Sequence, residues 1–151
     1  MSIVTLKEIK RAQEQVDAMI AKFEAQAQRF IGLPAVQVEL HHGERYAGLV
    51  LAADGMPSHH LILLPGDADE VNWEAAKQFA AKTGGELPTR AEQAILYGNL
   101  KSEFEQRYYW SCEQHAANAD YAWYQYFLNG TQDSNFKSAS LRARAVRRLP
   151  I

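Results

Sequence analysis

The chain has 151 residues, of which 47% are hydrophobic and 23% charged, which suits one globular domain or a domain with an added segment. Its formal charge of −2 argues against nucleic-acid binding, because that function usually needs a positive field. Cys112 is the single cysteine, so no internal disulfide and no cysteine-based metal site can form. Neither a signal peptide nor a membrane span is visible, and we expect synthesis in the cytoplasm without membrane association.

Residues 1–31 are predicted to form a helical arm, in which a long amphipathic helix runs from Thr5 to Phe30. Thr5-Leu6-Lys7-Glu8 is a capping box, and mostly apolar residues then recur every three or four positions as far as Phe30. This period is typical of a coiled coil, so we expect homo-oligomerisation through the arm, with Gln13 as a buried polar residue that could set the register. A helix laid along its own domain is the alternative. The positions of this seam are Leu6, Ile9, Gln13, Val16, Ile20, Phe23, Ala27 and Phe30.

A second unit, residues 35–151, is predicted to follow the break at Gly32-Leu33-Pro34. Segments with alternating polar and apolar residues, or with mostly apolar residues, predict strands that form a meander in one sheet. Residues 65–69 are predicted to form a loop. The predicted strands of this meander are Val36–Leu40, Arg45–Ala53 and Ser58–Leu64.

Two helices and a set of aromatic strands complete the predicted elements. Asn72 caps a helix from Trp73 to Lys82, and the capping box that starts at Thr89 begins another, which reaches about Leu100. The strands expected after them are Tyr108–Cys112, Tyr121–Leu128, a weaker one at Asn135–Ser138, and Ala143–Leu149.

Several short motifs in the second unit resemble the Lcl C-terminal-domain family, whose lectin-like domains of unknown function are common in bacteria and prophages. Their order and spacing agree from about Glu44 to the C-terminus, and the arm lies outside the match. The motifs are Trp73-Glu74-Ala75-Ala76-Lys77, Gly85-Glu86-Leu87-Pro88-Thr89-Arg90-Ala91-Glu92, Tyr109-Trp110-Ser111, Ala122-Trp123-Tyr124, Asn129-Gly130 and Ala143-Arg144-Ala145-Val146-Arg147.

The resemblance implies an α+β, C-type-lectin-like fold in which two helices flank small antiparallel sheets. It also implies a phage or prophage origin, and incorporation of the protein into a virion is one outcome consistent with that origin. In related phage proteins, tyrosines, serines and asparagines near the C-terminus form the contact surface. This chain concentrates the same residue types between Tyr108 and Ser140.

Catalytic and metal chemistry find little support in the sequence. The formylglycine-generating enzymes, which share the implied fold, need a pair of cysteines, and Cys112 has no partner. An acid–base pair of Cys112 and His115 lacks a third, orienting group. The pairs His41-His42 and His59-His60 match no zinc spacing and are interpreted as solvated turn residues. The calcium motifs of animal C-type lectins are absent, so neither a metal nor a cofactor is expected.

Aromatic and polar crowding is the remaining functional signal. Tyr and Trp cover much area at a recognition surface for little rotamer entropy. Because strand residues alternate between faces, Tyr124 and Tyr126 should share one face, while Trp110 and Trp123 are expected to be structural. The residues predicted near a contact surface are Tyr109, Tyr124, Tyr126, Asn129, Gln132, Asp133, Asn135 and Lys137.

These observations favour a non-catalytic binding protein that presents a Tyr/Asn/Ser-rich surface to a protein or a glycan. The first alternative is a structural or accessory phage protein that assembles through its arm. A more distant alternative is a Cys/His enzyme related to the formylglycine-generating enzymes.

Overall fold

The computed structural model describes residues 3–27 and 30–151, and the chain divides into two units, Met1–Leu33 and Pro34–Ile151. The first unit contains helix α1, Leu6–Gln26. Its capping box is confirmed, because Thr5 Oγ1 accepts from the Glu8 amide at 3.2 Å and Glu8 Oε2 accepts from the Thr5 amide at 2.8 Å.

The prediction that the first helix reaches Phe30 is wrong. The backbone of Ala27 is extended, with φ −59° and ψ 135°, so the chain leaves the helix there. Phe30 is exposed and lies beyond α1, and helical spacing therefore cannot place it in line with the apolar residues of the helix. Residues 28 and 29 lie outside the described residues.

The second unit is α+β, which agrees with the predicted class. The described residues of the whole chain form three helices and eight strands, with a short 3-10 helix at Lys101–Glu103. After α1 the helices are α2, Trp73–Thr83, and α3, Arg90–Leu100. The strands are β1, Arg45–Leu51; β2, Pro57–Leu63; β3, Ala68–Val71; β4, Tyr108–Gln114; β5, Tyr121–Tyr126; β6, Gln132–Phe136; β7, Leu141–Ala143; and β8, Val146–Pro150.

Two sheets are built from these strands. The smaller has the order β1-β2-β8 and is antiparallel, so that β8, near the end of the chain, pairs with a strand from the start of the unit. The larger has the order β3-β7-β4-β5-β6, and its β4–β7 pair is parallel.

The larger sheet has apolar clusters on both of its faces. On the α3 side, Tyr109 packs with Leu61 and Leu96. On the α2 side, Trp110 packs with Trp73 and small alanine side chains. Consecutive residues of β4 are therefore both buried, because each points into a different cluster. The structural role predicted for Trp110 is confirmed by its 0% exposure.

Several segments differ from the predicted elements. The single strand expected over Ala143–Leu149 is divided between β7 and β8, which belong to different sheets, and the strand expected at Asn135–Ser138 lies earlier, as β6. Val36–Leu40 alternates like a strand but pairs with none, and Val36 and Leu40 are exposed. Its one described tie to the sheets is a bond from the Arg147 guanidinium to the Glu39 carbonyl at 2.8 Å. Conversely, β3 begins inside the segment predicted as a loop and continues two residues beyond it, and a four-residue Ala-Asp-Glu-Val strand is too short to show a periodic pattern.

Candidate functional site

Three tyrosines meet on the α2 side of the larger sheet. Tyr108 lies opposite Tyr126 across the β4–β5 pair, and their rings stack with centroids 4.2 Å apart. Tyr124 meets Tyr108 edge to face at 5.0 Å. All three rings remain partly accessible, and Tyr108 is 40% exposed. The rings thus form an ordered aromatic surface that is open to solvent.

Edge strand β6 adds polar groups to the same side. Asp133 lies opposite Tyr124 and Asn135 lies opposite Ala122, so their side chains share the face of Tyr124. Burial raises the pKa of Tyr124 above its ordinary value, and the nearby Asp133 carboxylate raises it further. The Tyr124 hydroxyl therefore stays protonated at neutral pH and can donate a hydrogen bond. We call Tyr108, Tyr124, Tyr126, Asp133 and Asn135 the tyrosine face.

A small cavity of about 160 Å³ adjoins the tyrosine face at Tyr108. The Arg142 guanidinium on its wall is held by Asp67 and Asp69, each at 3.1 Å. The residues that line it come from β3, β4 and β7 or lie directly beside them, and they are Asp69, Glu70, Arg107, Tyr108, Ser140, Leu141 and Arg142.

Two residues of opposite charge, Glu70 and Arg107, line this cavity, and neither forms an ion pair with any residue that the structure describes. Glu70 has a φ of 49°, a left-handed conformation that costs a non-glycine residue about 1 kcal/mol or more. The residues that line the cavity thus combine acidic, basic, hydroxyl-bearing and aromatic side chains.

The opposite face of β5 and β6 is a structural network. Gln132 Nε2 donates to Gln125 Oε1 at 2.8 Å and to the Arg90 carbonyl at 2.7 Å. Gln125 in turn donates to the Gln93 carbonyl at 3.1 Å. The Arg90 guanidinium lies 3.5 Å from the centre of the Trp123 ring. These contacts attach the sheet to α3, so Gln132 lies away from the tyrosine face.

Among the predicted contact residues, Tyr124, Tyr126, Asp133 and Asn135 are brought together. Tyr109 is not: the prediction that it contributes to a contact surface is wrong, because the side chain is 1% exposed and packs in the core. Its hydroxyl is also occupied, since it donates to Asp67 at 3.2 Å and accepts from the Glu105 amide at 3.0 Å.

The other three predicted residues also lie outside this group, and Gln132 belongs to the network on the opposite face. Asn129 is in the turn after β5, where its side-chain oxygen accepts from the Thr131 amide at 3.0 Å. Lys137 follows β6, donates to Gln114 at 2.7 Å and lies 4.6 Å from the centre of the Trp73 ring.

The sequence interpretation missed Tyr108 and the residues that line the cavity. Tyr108 could have been found from the β4–β5 register, which sets it opposite Tyr126. The cavity could not, because it is formed where three strands distant in sequence end side by side.

Two histidines interpreted as solvated are instead part of the fold. His59 Nε2 lies 2.8 Å from a Glu92 carboxylate oxygen, and His60 is buried with Nδ1 2.7 Å from the Tyr46 hydroxyl. These partners come from α3 and β1, which short-range turn signals do not reveal. Across residues 3–27 and 30–151, no group of three or more His, Cys, Asp or Glu side chains is arranged to hold a metal ion.

Cys112 and His115 are engaged separately. Cys112 packs against the α2-side cluster, and burial raises the pKa of its thiol. His115 stacks on Trp123 with ring centroids 5.2 Å apart, and its Nδ1 accepts from the Ala117 amide at 3.1 Å.

None of the described helices combines the length and apolar character that a membrane crossing needs. Neither a scan against protein-family models nor a search of the curated proteins finds a match to this chain.

Proposed function

We propose that this chain is a non-catalytic recognition protein that binds a protein or a glycan through the tyrosine face. We assign its second unit to the C-type-lectin-like fold, and a phage or prophage origin follows from the same resemblance. Support for the fold comes from two helices packed on two small sheets and from β8, which returns to pair with β2 at the start of the unit.

The observation on which this proposal rests is that Tyr108 contacts both Tyr124 and Tyr126 on an open part of the sheet. Binding usually costs about 0.5–1.5 kcal/mol for each side chain that must be ordered. Rings that already stack on one another avoid part of that cost. Their hydroxyls, together with Asp133 and Asn135, supply the hydrogen bonds that give specificity.

The neighbouring cavity suits an anchor rather than a cofactor. Its volume of about 160 Å³ is below the roughly 300 Å³ at which pockets for drug-sized ligands begin. One side chain or one sugar unit would fill it. The partner would therefore be read mainly across a surface, with one group inserted beside Tyr108.

The test is selection of ligands from a displayed peptide library and a glycan array on the intact chain. Each ligand is then measured against Tyr124→Ala and Tyr126→Ala. We expect each substitution to weaken binding at least about ten-fold, as the loss of a well-packed interface tyrosine does. Tyr121→Ala is the matched control, because that ring lies on the other face of β5 against Phe136. Ligands that resist both substitutions, or the absence of ligands from both libraries, would contradict the proposal.

A second candidate is a structural or accessory role in which the arm is the working part. It is favoured by the exposure of every described residue of α1, including its apolar side chains. Combining Ile9→Glu with Ile20→Glu should convert an oligomer to a monomer in light scattering. Arg11→Glu, on the charged side of the helix, should not. If assembly were the whole function, Tyr124→Ala would leave every activity of the chain intact.

A further inference from the structure

We infer that α1 pairs antiparallel with α1 of a second copy of this chain, with Leu6 of each helix against Phe23 of the other. This inference rests on the proposed self-association of the arm and adds the identity of the partner and its direction. It is an interface between two copies, each of which contributes the same helical face.

The helix needs a partner because nothing in its own unit covers it. Its 21 residues give a length of about 31 Å. Most of the stability of a helix in a protein comes from the packing of its apolar face against another element. Leu6 and Phe23 are 67% and 74% exposed. Ile9, Val16 and Ile20 between them are each close to half exposed or more. A strip of this kind is stabilised when another apolar strip removes it from water.

The residue sizes fit best when the two helices run in opposite directions. The alignment with the largest overlap forms three kinds of layer, each present twice by symmetry: Leu6 on Phe23, Ile9 on Ile20, and Gln13 on Val16. Phe23, the largest side chain of the strip, then packs against the smaller Leu6, and the other layers join side chains of similar size. A parallel pair would set Phe23 directly against Phe23.

The charges beside the strip also distinguish the two directions. In the antiparallel alignment Lys10 of each helix approaches Asp17 of the other, which gives two ion pairs related by symmetry. Asp17 is already oriented, because its Oδ1 accepts from Gln13 Nε2 at 2.8 Å. Met19, 70% exposed, lies near Ala12 on the other flank and widens the apolar contact.

A parallel pair offers less on both flanks. It would gain a Gln13–Gln13 layer, the kind of polar layer that can set register. Its flanking contacts, however, would include no pair of opposite charges. Those contacts are Thr5 with Lys10, Ala12 with Asp17, and Met19 with Glu24. Charge complementarity therefore favours the antiparallel direction.

The antiparallel direction separates the C-terminal ends of the two helices. The C-terminal ends of the two helices would lie about 30 Å apart, at opposite ends of the pair. A dimer carries two tyrosine faces, so binding of the second face to a partner with repeated sites would gain from binding of the first.

The first experiment is disulfide trapping in the full chain with Cys112→Ala as background. Leu6→Cys and Phe23→Cys are made separately in chains of different length, so that each product is identified by mass. We expect little cross-linking of either variant alone and efficient cross-linking when the two are unfolded, mixed and refolded together. Cross-linking of each variant with itself would show a parallel pair and overturn the inference. So would a monomeric mass for the unmodified chain, which would mean that the helix packs on its own domain.

A charge exchange gives a second, independent measurement. Lys10→Glu places two like-charged pairs in the antiparallel interface and should raise the dimer dissociation constant about ten-fold. Adding Asp17→Lys should restore it. Arg11→Glu, with the same change of charge on the outer side, is the control. Equal effects of Lys10→Glu and Arg11→Glu, or no restoration by the double variant, would overturn the antiparallel alignment. Ligand binding by the tyrosine face is a separate readout, and its loss or survival would not affect this result.

Discussion

Glu92 offers the sharpest test of how this fold is held together. Its carboxylate lies at the start of α3 with a side chain that is 1% exposed. Arg148 donates to it twice at 2.8 Å, and His59 lies within 2.8 Å of the same group. The Thr89 amide donates to it at 2.8 Å, completing the cap of α3. One buried charge thus joins a helix to both β2 and β8.

Replacing Glu92 with Gln should destabilise the fold by about 3 kcal/mol. Burial alone would raise the pKa of this carboxyl, but the bonds from Arg148, the Thr89 amide and His59 outweigh burial and lower it to about 2 from 4.5. That difference corresponds to about 3 kcal/mol of stability at neutral pH. Removal of one partner from a buried pair costs about 3–5 kcal/mol, and we expect the lower end because Arg148 keeps a second carboxylate, Glu86, at 3.0 Å.

Urea unfolding followed by tryptophan fluorescence measures this loss, since Trp73 and Trp110 are buried. Glu86→Gln is the matched control: it removes a carboxylate from the same Arg148, but Glu86 is 73% exposed and should contribute less than about 1 kcal/mol. A loss below about 1 kcal/mol for Glu92→Gln, or equal losses for the two variants, would refute the reasoning.

The dependence on pH provides a second check. Because the pKa is lower in the folded chain than in the unfolded one, the contribution of Glu92 is complete above pH 4.5 and is lost as the pH falls towards 2. The stability difference between the wild type and Glu92→Gln should therefore shrink over that interval. A difference that stayed constant from pH 7 to pH 2 would show that the charge is not the cause.

Three further predictions concern other parts of the second unit. Gly85→Ala should lower the free energy of unfolding in urea by about 3 kcal/mol or more, because a Cβ there would lie 2.2 Å from the Val146 carbonyl oxygen. Gly98→Ala is the control: it adds a Cβ in open space on α3 and should raise the free energy of unfolding by about 0.5–1 kcal/mol. Glu44→Gln should speed hydrogen exchange of the His41 amide at least about ten-fold, since that amide donates to Glu44 at 2.6 Å; unchanged exchange would contradict this. Cys112 should react with iodoacetamide at pH 7.5 at least about ten-fold more slowly than a free thiol, because burial raises its pKa, and a rapid reaction would revive the Cys/His alternative.

The elements that the sequence predicted well are those with local signals. Asn72 and Thr89 cap α2 and α3 within three residues, so the start of each helix is written beside it. The segment Val36–Leu40 shows the limit of such patterns. Its alternation suits a strand, but a strand also needs a neighbour, and no described strand lies beside it.

The candidate site shows the same division. Alternation along β5 correctly set Tyr124 and Tyr126 on one face. Alternation along β4 cannot show which of its aromatic side chains are covered, because that depends on where α2 and α3 pack. The sequence therefore predicts a surface position for Tyr109, which lies in the core, and gives no sign that Tyr108 stacks on Tyr126.

The position of the tyrosine face follows from the extent of the layer that covers the sheet. Tyr108 and Trp110 are two residues apart on β4 and point to the same side, yet Tyr108 is 40% exposed and Trp110 is 0% exposed. Trp110 is covered because α2 and β3 reach it, and its indole N–H donates to the Val71 carbonyl at 2.9 Å. Beyond that point the covering layer ends, and aromatic side chains stack on one another instead of on a helix. Changes at Trp110 should thus act on stability, whereas changes at Tyr126 should act on binding.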